Sequence, residues 1–272
     1  MRVVRTAGEI RGLGLRDVGL VPTMGALHDG HLSLFRGARV ESDTLVASIF
    51  VNPAQFDDPA DLERYPRDEE RDLRLAEQAG VDVLFVPSQK EMYPPGFGTW
   101  VEVGNQGAEG AARPGHFRGV ATVCLKLFSI VRPARAYFGQ KDGQQAALIR
   151  RLVRDLALGI EIRVLPTVRD PDGLALSSRN VRLSDEERTR ALALPRALAA
   201  ARGAPEPVTA AQASLNGLHP DYVEIVELDG ARLLAAAVRV GSTRLIDNVV
   251  LNGELNPRGL GGAREGGEPP SR

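Results

Sequence analysis

Two histidines three residues apart, His28 and His31, sit in the stretch Pro22-Thr23-Met24-Gly25-Ala26-Leu27-His28-Asp29-Gly30-His31. The apolar run Val18-Gly19-Leu20-Val21 precedes it, and Leu32-Ser33-Leu34-Phe35-Arg36-Gly37-Ala38 continues it with a helical pattern. A strand, a glycine-punctuated turn and a helix start make a place for anionic oxygens. Backbone N–H groups point out of the helix end, and glycine lets the chain approach a ligand closely. The spacing puts both imidazoles on one helical face, so both can address the same group. Phosphate, a metal ion or plain surface exposure are all compatible with the pair alone. Other candidates are Lys141, in Gly139-Gln140-Lys141-Asp142, and the hydroxyl–guanidinium series Ser177-Ser178-Arg179. Each suits phosphate oxygens, and each is equally readable as solvated loop. Arg113-Pro114-Gly115-His116-Phe117-Arg118-Gly119 brings two arginines and a histidine to a helix start, either for an anion or as surface charge. Asn52-Pro53-Ala54-Gln55 offers two amides just past a strand end.

The elements that must position these groups are legible as alternating patterns. Buried-strand runs are Val18–Val21, Thr44–Val51, Val81–Val86, Ala136–Phe138 and Glu161–Val164. Helical candidates between them are Leu32–Glu41, Asp68–Ala79, Val120–Val131 and Gln144–Leu156. Apolar strands separated by helices of this length predict parallel βαβ units and a Rossmann-like, doubly wound α/β layer. Ligands in such sheets bind beyond the carboxyl ends of the strands, where the histidine stretch lies. Asp142 is expected to cap the helix after it, and the Gly-rich Val103–Gly110 reads as a mobile loop, connector or lid. Ser184-Asp185-Glu186-Glu187 is a capping box opening a helix over Arg188–Arg202. Tyr222–Glu227 and Arg244–Val250 alternate as half-exposed strands. The expected organisation is a Rossmann-like unit over 1–178, a smaller α+β lid domain over 179–256 and a disordered tail over 257–272.

A net charge of -1 leaves no bulk electrostatic case for nucleic acid or an anionic membrane. The one cysteine, Cys124, excludes an intrachain disulfide framework, fits a reducing compartment and stands in an apolar run as a core residue or, alternatively, a nucleophile. No signal peptide or spanning segment is seen, so the cytoplasm is expected. Metal-ligand Cys/His spacing and a Gly-x-Ser-x-Gly nucleophile motif are absent from the sequence.

Taken in order, these motifs together resemble the pantothenate synthetase (pantoate–β-alanine ligase) family. The matching pieces are the histidine stretch, Ser48-Ile49-Phe50-Val51-Asn52-Pro53-Ala54-Gln55-Phe56, Tyr65-Pro66-Arg67, Arg113–Val120, Phe138–Gln145, Asp172–Asn180 and Arg244-Leu245-Ile246-Asp247-Asn248. The wider group is the nucleotidylyltransferase-like superfamily. Its HIGH-type motif looks like His28-Asp29-Gly30-His31, and its KMSKS-type loop is paralleled by Leu176-Ser177-Ser178-Arg179.

The resemblance implies a ligase of pantothenate biosynthesis, on the coenzyme A pathway, that joins pantoate to β-alanine with ATP through a pantoyl adenylate. It also implies Mg²⁺ and a homodimer. Met24, Gly25, Ala26, Leu27, His28, Asp29, Gly30 and His31 would line the ATP site with Gly139, Gln140, Lys141, Asp142, Val168, Leu176, Ser177, Ser178 and Arg179. His28, His31, Lys141 and Arg179 would be catalytic, His31 being the residue usually given a proton-donor role. Gln55 and Gln145 would hold pantoate, Gln55 also facing β-alanine. Arg113 would begin a loop near the phosphates, and Asp72 falls where the family places a carboxylate near Mg²⁺. Gly143 is an unusual residue to open a helix, and the second domain is short around Gly203–Gln212. The alternative is another HIGH-motif nucleotidyltransferase acting on a small substrate.

Overall fold

The computed structural model describes residues 1–256 apart from 105, 216 and 229. The tail expected over 257–272 lies outside the described residues. Nine strands run in chain order: β1 (Arg2–Val4), β2 (Val18–Thr23), β3 (Thr44–Ile49), β4 (Val83–Phe85), β5 (Arg135–Gly139), β6 (Glu161–Leu165), β7 (Pro220–Leu228), β8 (Ala231–Val240) and β9 (Thr243–Gly253). The first six form one all-parallel sheet in the order β1-β4-β3-β2-β5-β6, and the last three form an antiparallel sheet in the order β7-β8-β9.

Side-chain alternation in the parallel strands divides the core between two faces, as a doubly wound sheet requires. Val18 and Leu20 of β2, Val46 of β3 and Ala136 and Phe138 of β5 pack on one face with the helices His116–Val131 and Gly143–Asp155. Val21, Leu45, Ala47 and Tyr137 point to the other face. There they meet Leu34, Phe35 and Ala38 of the helix Asp29–Glu41 and Ala76 of the helix Glu69–Gln78. Connections after β2 lead outward through β3 to β4, and the chain then returns to place β5 on the other side of β2. A crevice opens where the direction reverses, between the carboxyl ends of β2 and β5.

Departures from the sequence expectation have local causes. The β1 strand has only three residues, too few to show a period. The helix of the arginine–histidine stretch begins at His116, four residues before the predicted Val120, after Gly115 at φ 82°. The predicted Gly-rich loop runs into the helix Gly107–Ala112, with Glu109 buried. The capping box of Ser184 and Glu187 forms as expected. The helix that follows is split into Asp185–Ala191 and Ala193–Ala201; Pro195, in the first turn of the second piece, cannot continue the hydrogen-bond ladder of the first.

Candidate active site

A cavity of about 380 Å³ lies at the β2/β5 crevice, lined from the parallel sheet by the turns after β2, β3 and β5 and from the smaller sheet by residues of β7, β8 and β9. The volume is ordinary for a small-molecule site.

The turn after β2 is held from behind by Asp72. Its two carboxylate oxygens accept the N–H groups of Ala26 and Leu27, both at 2.7 Å, while Arg71 donates to the Leu27 carbonyl at 2.8 Å. Ala26 is kept at φ 51°, a conformation that costs a non-glycine residue. This turn delivers His28 as the N-cap of the helix Asp29–Glu41, where its Nδ1 accepts the Gly30 N–H at 3.1 Å. His31 Nδ1 accepts the His28 N–H at 3.3 Å. With Nδ1 an acceptor in both rings, the neutral tautomer carries its proton on Nε2. Burial, aided by the Lys141 charge, pushes the His28 pKa down to about 4. Burial, with His28 and Lys141, pushes His31 down to about 3. The pair is therefore two neutral N–H donors on the cavity wall.

The turn after β3, Pro53–Gln55, rests directly on the helix His116–Val131. A Cβ at Gly119 would stand 2.2 Å from the Ala54 carbonyl oxygen, so only glycine permits this approach. The buried Asn52 locks the contact: its Nδ2 donates to the Gly119 carbonyl at 3.1 Å and to Gln55 Oε1 at 2.9 Å. The Gln55 carbonyl accepts His116 Nδ1–H at 2.7 Å and an Arg113 N–H at 3.2 Å. His116 Nε2 then faces Arg113 at 3.2 Å. Burial and this guanidinium push the His116 pKa down to about 4, so the ring is neutral. With its carbonyl and Oε1 both engaged, Gln55 keeps its amide N–H groups for a ligand.

Across the crevice, the turn Gln140–Asp142 after β5 presents Lys141, whose Nζ lies 3.2 Å from Asp142 Oδ1. Gln145, in the first turn of the next helix, lines the same cavity. The far wall comes from Val168 and from Leu176 to Arg179. Leu176 N–H donates to the Val168 carbonyl at 3.0 Å, and Ser178 Oγ is 3.4 Å from the Tyr65 hydroxyl. Asp61 receives Arg179 at 2.8 Å and Arg182 at 2.7 Å. Burial opposes its ionisation, but the two arginines outweigh this and hold its carboxyl below the usual range.

Of the residues expected at the site, Met24, His28, Gly30, His31, Gln55, Arg113, Gly139, Lys141, Asp142, Gln145, Val168, Leu176, Ser177, Ser178 and Arg179 line one cavity. Gly25, Ala26 and Leu27 belong to the supporting turn and Asp29 opens the helix; none of them is part of the lining. The Gln140 side chain does not line the cavity and donates to Asn248 Oδ1 at 3.0 Å. Asp142 stands at the N-cap of its helix without a side-chain bond to it, because its carboxylate faces Lys141. Arg118, expected beside Arg113, points elsewhere, over the Trp100 ring and toward Glu102.

Asp72, expected near Mg²⁺, does not line the cavity. Both of its oxygens are committed to backbone donors, and no group of three or more His, Cys, Asp or Glu side chains among the described residues could hold a metal ion. Cys124 is buried and its thiol pushed up to about 12, the behaviour of a packed residue rather than a nucleophile.

Sequence reasoning missed the partners. Asp61 is one. Another is buried Glu109, which takes both arms of Arg244 at 2.9 and 2.6 Å and ties the helix Gly107–Ala112 to β9. Burial works against its charge, yet the guanidinium keeps the carboxyl ionised. The Gly-rich composition around it hid that helix, and no local pattern marks a pair so distant in the chain.

The model of the pantoate–β-alanine ligase family matches residues 2–250. The chain belongs to that family. A pantothenate synthetase of Roseiflexus castenholzii is 54% identical, the match spanning 92% of this chain and 99% of the relative. Among solved structures, the pantothenate synthetase of Thermus thermophilus aligns with a TM-score of 0.87 at 47% identity, over 92% of this chain and 99% of that one. The pantoate–β-alanine ligase of Francisella tularensis, complexed with β,γ-ATP and β-alanine, aligns with a TM-score of 0.81 at 37% identity over 92% and 98%. The ligase-family match thus runs through both sheets of the described fold.

Proposed function

We propose that this chain catalyses the ATP-dependent condensation of pantoate with β-alanine, releasing AMP and pyrophosphate through an enzyme-bound pantoyl adenylate. The observation that carries the reading is the meeting of His28, His31, Lys141, Gln55 and Gln145 around one crevice between β2 and β5. Family membership and the nucleotide and β-alanine held by the Francisella relative support it.

The chemistry suits the residues. A carboxylate resists an amine because it is anionic and lacks a leaving group. In the first step a pantoate carboxylate oxygen attacks the α-phosphorus of ATP, and the bond to the pyrophosphate oxygen breaks. The β-alanine amine then attacks the acyl carbon, loses a proton, and AMP leaves with the carboxylate oxygen. No covalent enzyme intermediate is needed, and catalysis is positioning plus charge stabilisation. His28 and His31 donate from neutral Nε2 to phosphate oxygens, a role that does not require them to give up a proton. Lys141 supplies positive charge to the phosphates, and Ser177, Ser178 and Arg179 close over them. Gln55 and Gln145, neutral amides, hold the hydroxyls and carboxylate of pantoate. Mg²⁺, when bound, would supply counter-charge to the ATP phosphates, and no protein carboxylate is assigned to it.

The large unit of residues 1–178 would bind nucleotide and pantoate, with 179–256 as a lid. A homodimer in the cytoplasm completes the proposal, drawn from family likeness; sedimentation velocity tests the dimer. Among the described residues no helix is long and apolar enough to cross a membrane.

Pantoate-dependent exchange of labelled pyrophosphate into ATP, measured without β-alanine, tests the first step. Exchange that needs pantoate and proceeds without β-alanine is expected. Exchange indifferent to pantoate would overturn the reading in favour of another nucleotidyltransfer.

A further inference from the structure

The turn that carries Lys141 is not held by its own sheet alone. Asn248, on β9 of the antiparallel sheet, is 1% exposed and spends its whole amide on this turn. Its Nδ2 donates to the carbonyls of Gln140 at 2.7 Å and Lys141 at 3.0 Å, and its Oδ1 accepts Gln140 Nε2–H at 3.0 Å. Both donors and the acceptor are used, so the side chain has one orientation. Asn248 is itself fixed. Its backbone N–H donates to Asp247 Oδ1 at 2.8 Å, and Asp247 takes a two-armed bond from Arg169 at 2.6 and 3.0 Å. The packing is tight enough to explain an oddity of the sequence. A Cβ at Gly143 would lie 2.8 Å from Leu233 Cδ1 and 3.3 Å from Asn248 Nδ2, so glycine opens the helix because the small sheet presses on it.

We propose that Asn248 is a positioning residue for Lys141: the small sheet, through this one amide, fixes the turn from which the lysine ammonium reaches the phosphates. The inference rests on the reading of Lys141 as a phosphate-binding residue. Asn248 borders the cavity, but its amide is fully engaged by the turn, so it acts through Lys141. It acts by satisfying two carbonyls that would otherwise leave the turn free to rotate, and a small misplacement of a charge at a reacting phosphate costs rate steeply. The device also gives the small sheet a part in adenylate formation besides covering the cavity.

A double-mutant cycle read by pantoate-dependent pyrophosphate–ATP exchange tests this. The four proteins are the unaltered chain, Asn248→Ala, Lys141→Ala and the double variant, each with its Tm. Asn248→Ala should slow exchange at saturating substrates about 10-fold or more, yet change it less than about 3-fold when Lys141 is already alanine. An equal-fold loss in both backgrounds, or no loss in either, would overturn the inference while leaving the role of Lys141 intact. No loss in Lys141→Ala alone would instead overturn the phosphate reading, and the inference with it. If Asn248→Ala fails to fold, Gln140→Ala, which frees the amide to rotate without removing it, takes its place in the cycle under the same criteria.

Discussion

The rings of His28 and His31 lie 4.1 Å apart, centroid to centroid, and each turns its Nδ1 to a backbone N–H of the same helix start. The backbone thereby chooses the tautomer, and a cavity wall that could have held two cations holds two neutral donors.

The first consequence is in acid stability. Free histidine titrates near 6.5, whereas His28 and His116 are held down at about 4 and His31 at about 3. Below pH 6.5 the unfolded chain takes up protons that the folded rings refuse. The native state therefore loses stability as pH falls from 6.5 toward 4, by up to about 1.4 kcal/mol per pH unit for each ring. Urea midpoints between pH 7 and pH 5 should fall steeply, and less steeply in His116→Gln. A flat profile would contradict the neutral assignment.

Asp72 should behave as a brace. Asp72→Ala strands the N–H groups of Ala26 and Leu27. A loss of roughly 2–4 kcal/mol is expected, with a higher KM for ATP as the histidine turn loosens. The Mg²⁺ concentration giving half-maximal activity should stay where it is in the milder Asp72→Asn. A large shift in that value would restore the metal role.

The Asp61 pairs make a prediction about nucleotide binding. In this structure Arg179 and Arg182 both face Asp61, so a triphosphate must compete with a carboxylate for them. Asp61→Asn should lower the KM for ATP about 3- to 5-fold, since partly exposed pairs of this kind are worth about 1 kcal/mol. An unchanged KM with a lower kcat would show instead that Asp61 aligns the arginines.

The proposed pantoate subsite at Gln55 and Gln145 predicts that the two substrates can be separated. Truncating either to alanine leaves a pantoate hydroxyl or carboxylate oxygen without its partner, so the KM for pantoate should rise roughly 10- to 100-fold while that for ATP changes little. Equal losses for both substrates would argue against separate subsites.

The parallel sheet was legible because its strands are continuous apolar runs bounded by glycine and proline, and helices of ordinary length join them. The β8 strand was not, because Ala-Arg-Leu-Leu-Ala-Ala-Ala-Val reads as helix by local preference; it becomes a strand because β7 and β9 flank it and both of its faces are covered. The histidines, the glutamines and Lys141 stood out in the sequence by their family order, and they line one cavity. What fixes them did not, since Asp61 with Arg179, Glu109 with Arg244 and Gln140 with Asn248 lie far apart in the chain and are joined only by the fold. Asp72 shows the converse: a carboxylate in the right neighbourhood is spent on backbone donors once the fold is formed.

The central claim is transfer of adenylate to the pantoate carboxylate, and the path of one oxygen atom tests it. Pantoate labelled with ¹⁸O in both carboxylate oxygens should give AMP bearing one ¹⁸O and pantothenate retaining the other. Unlabelled AMP, or label in pyrophosphate or inorganic phosphate, would contradict it.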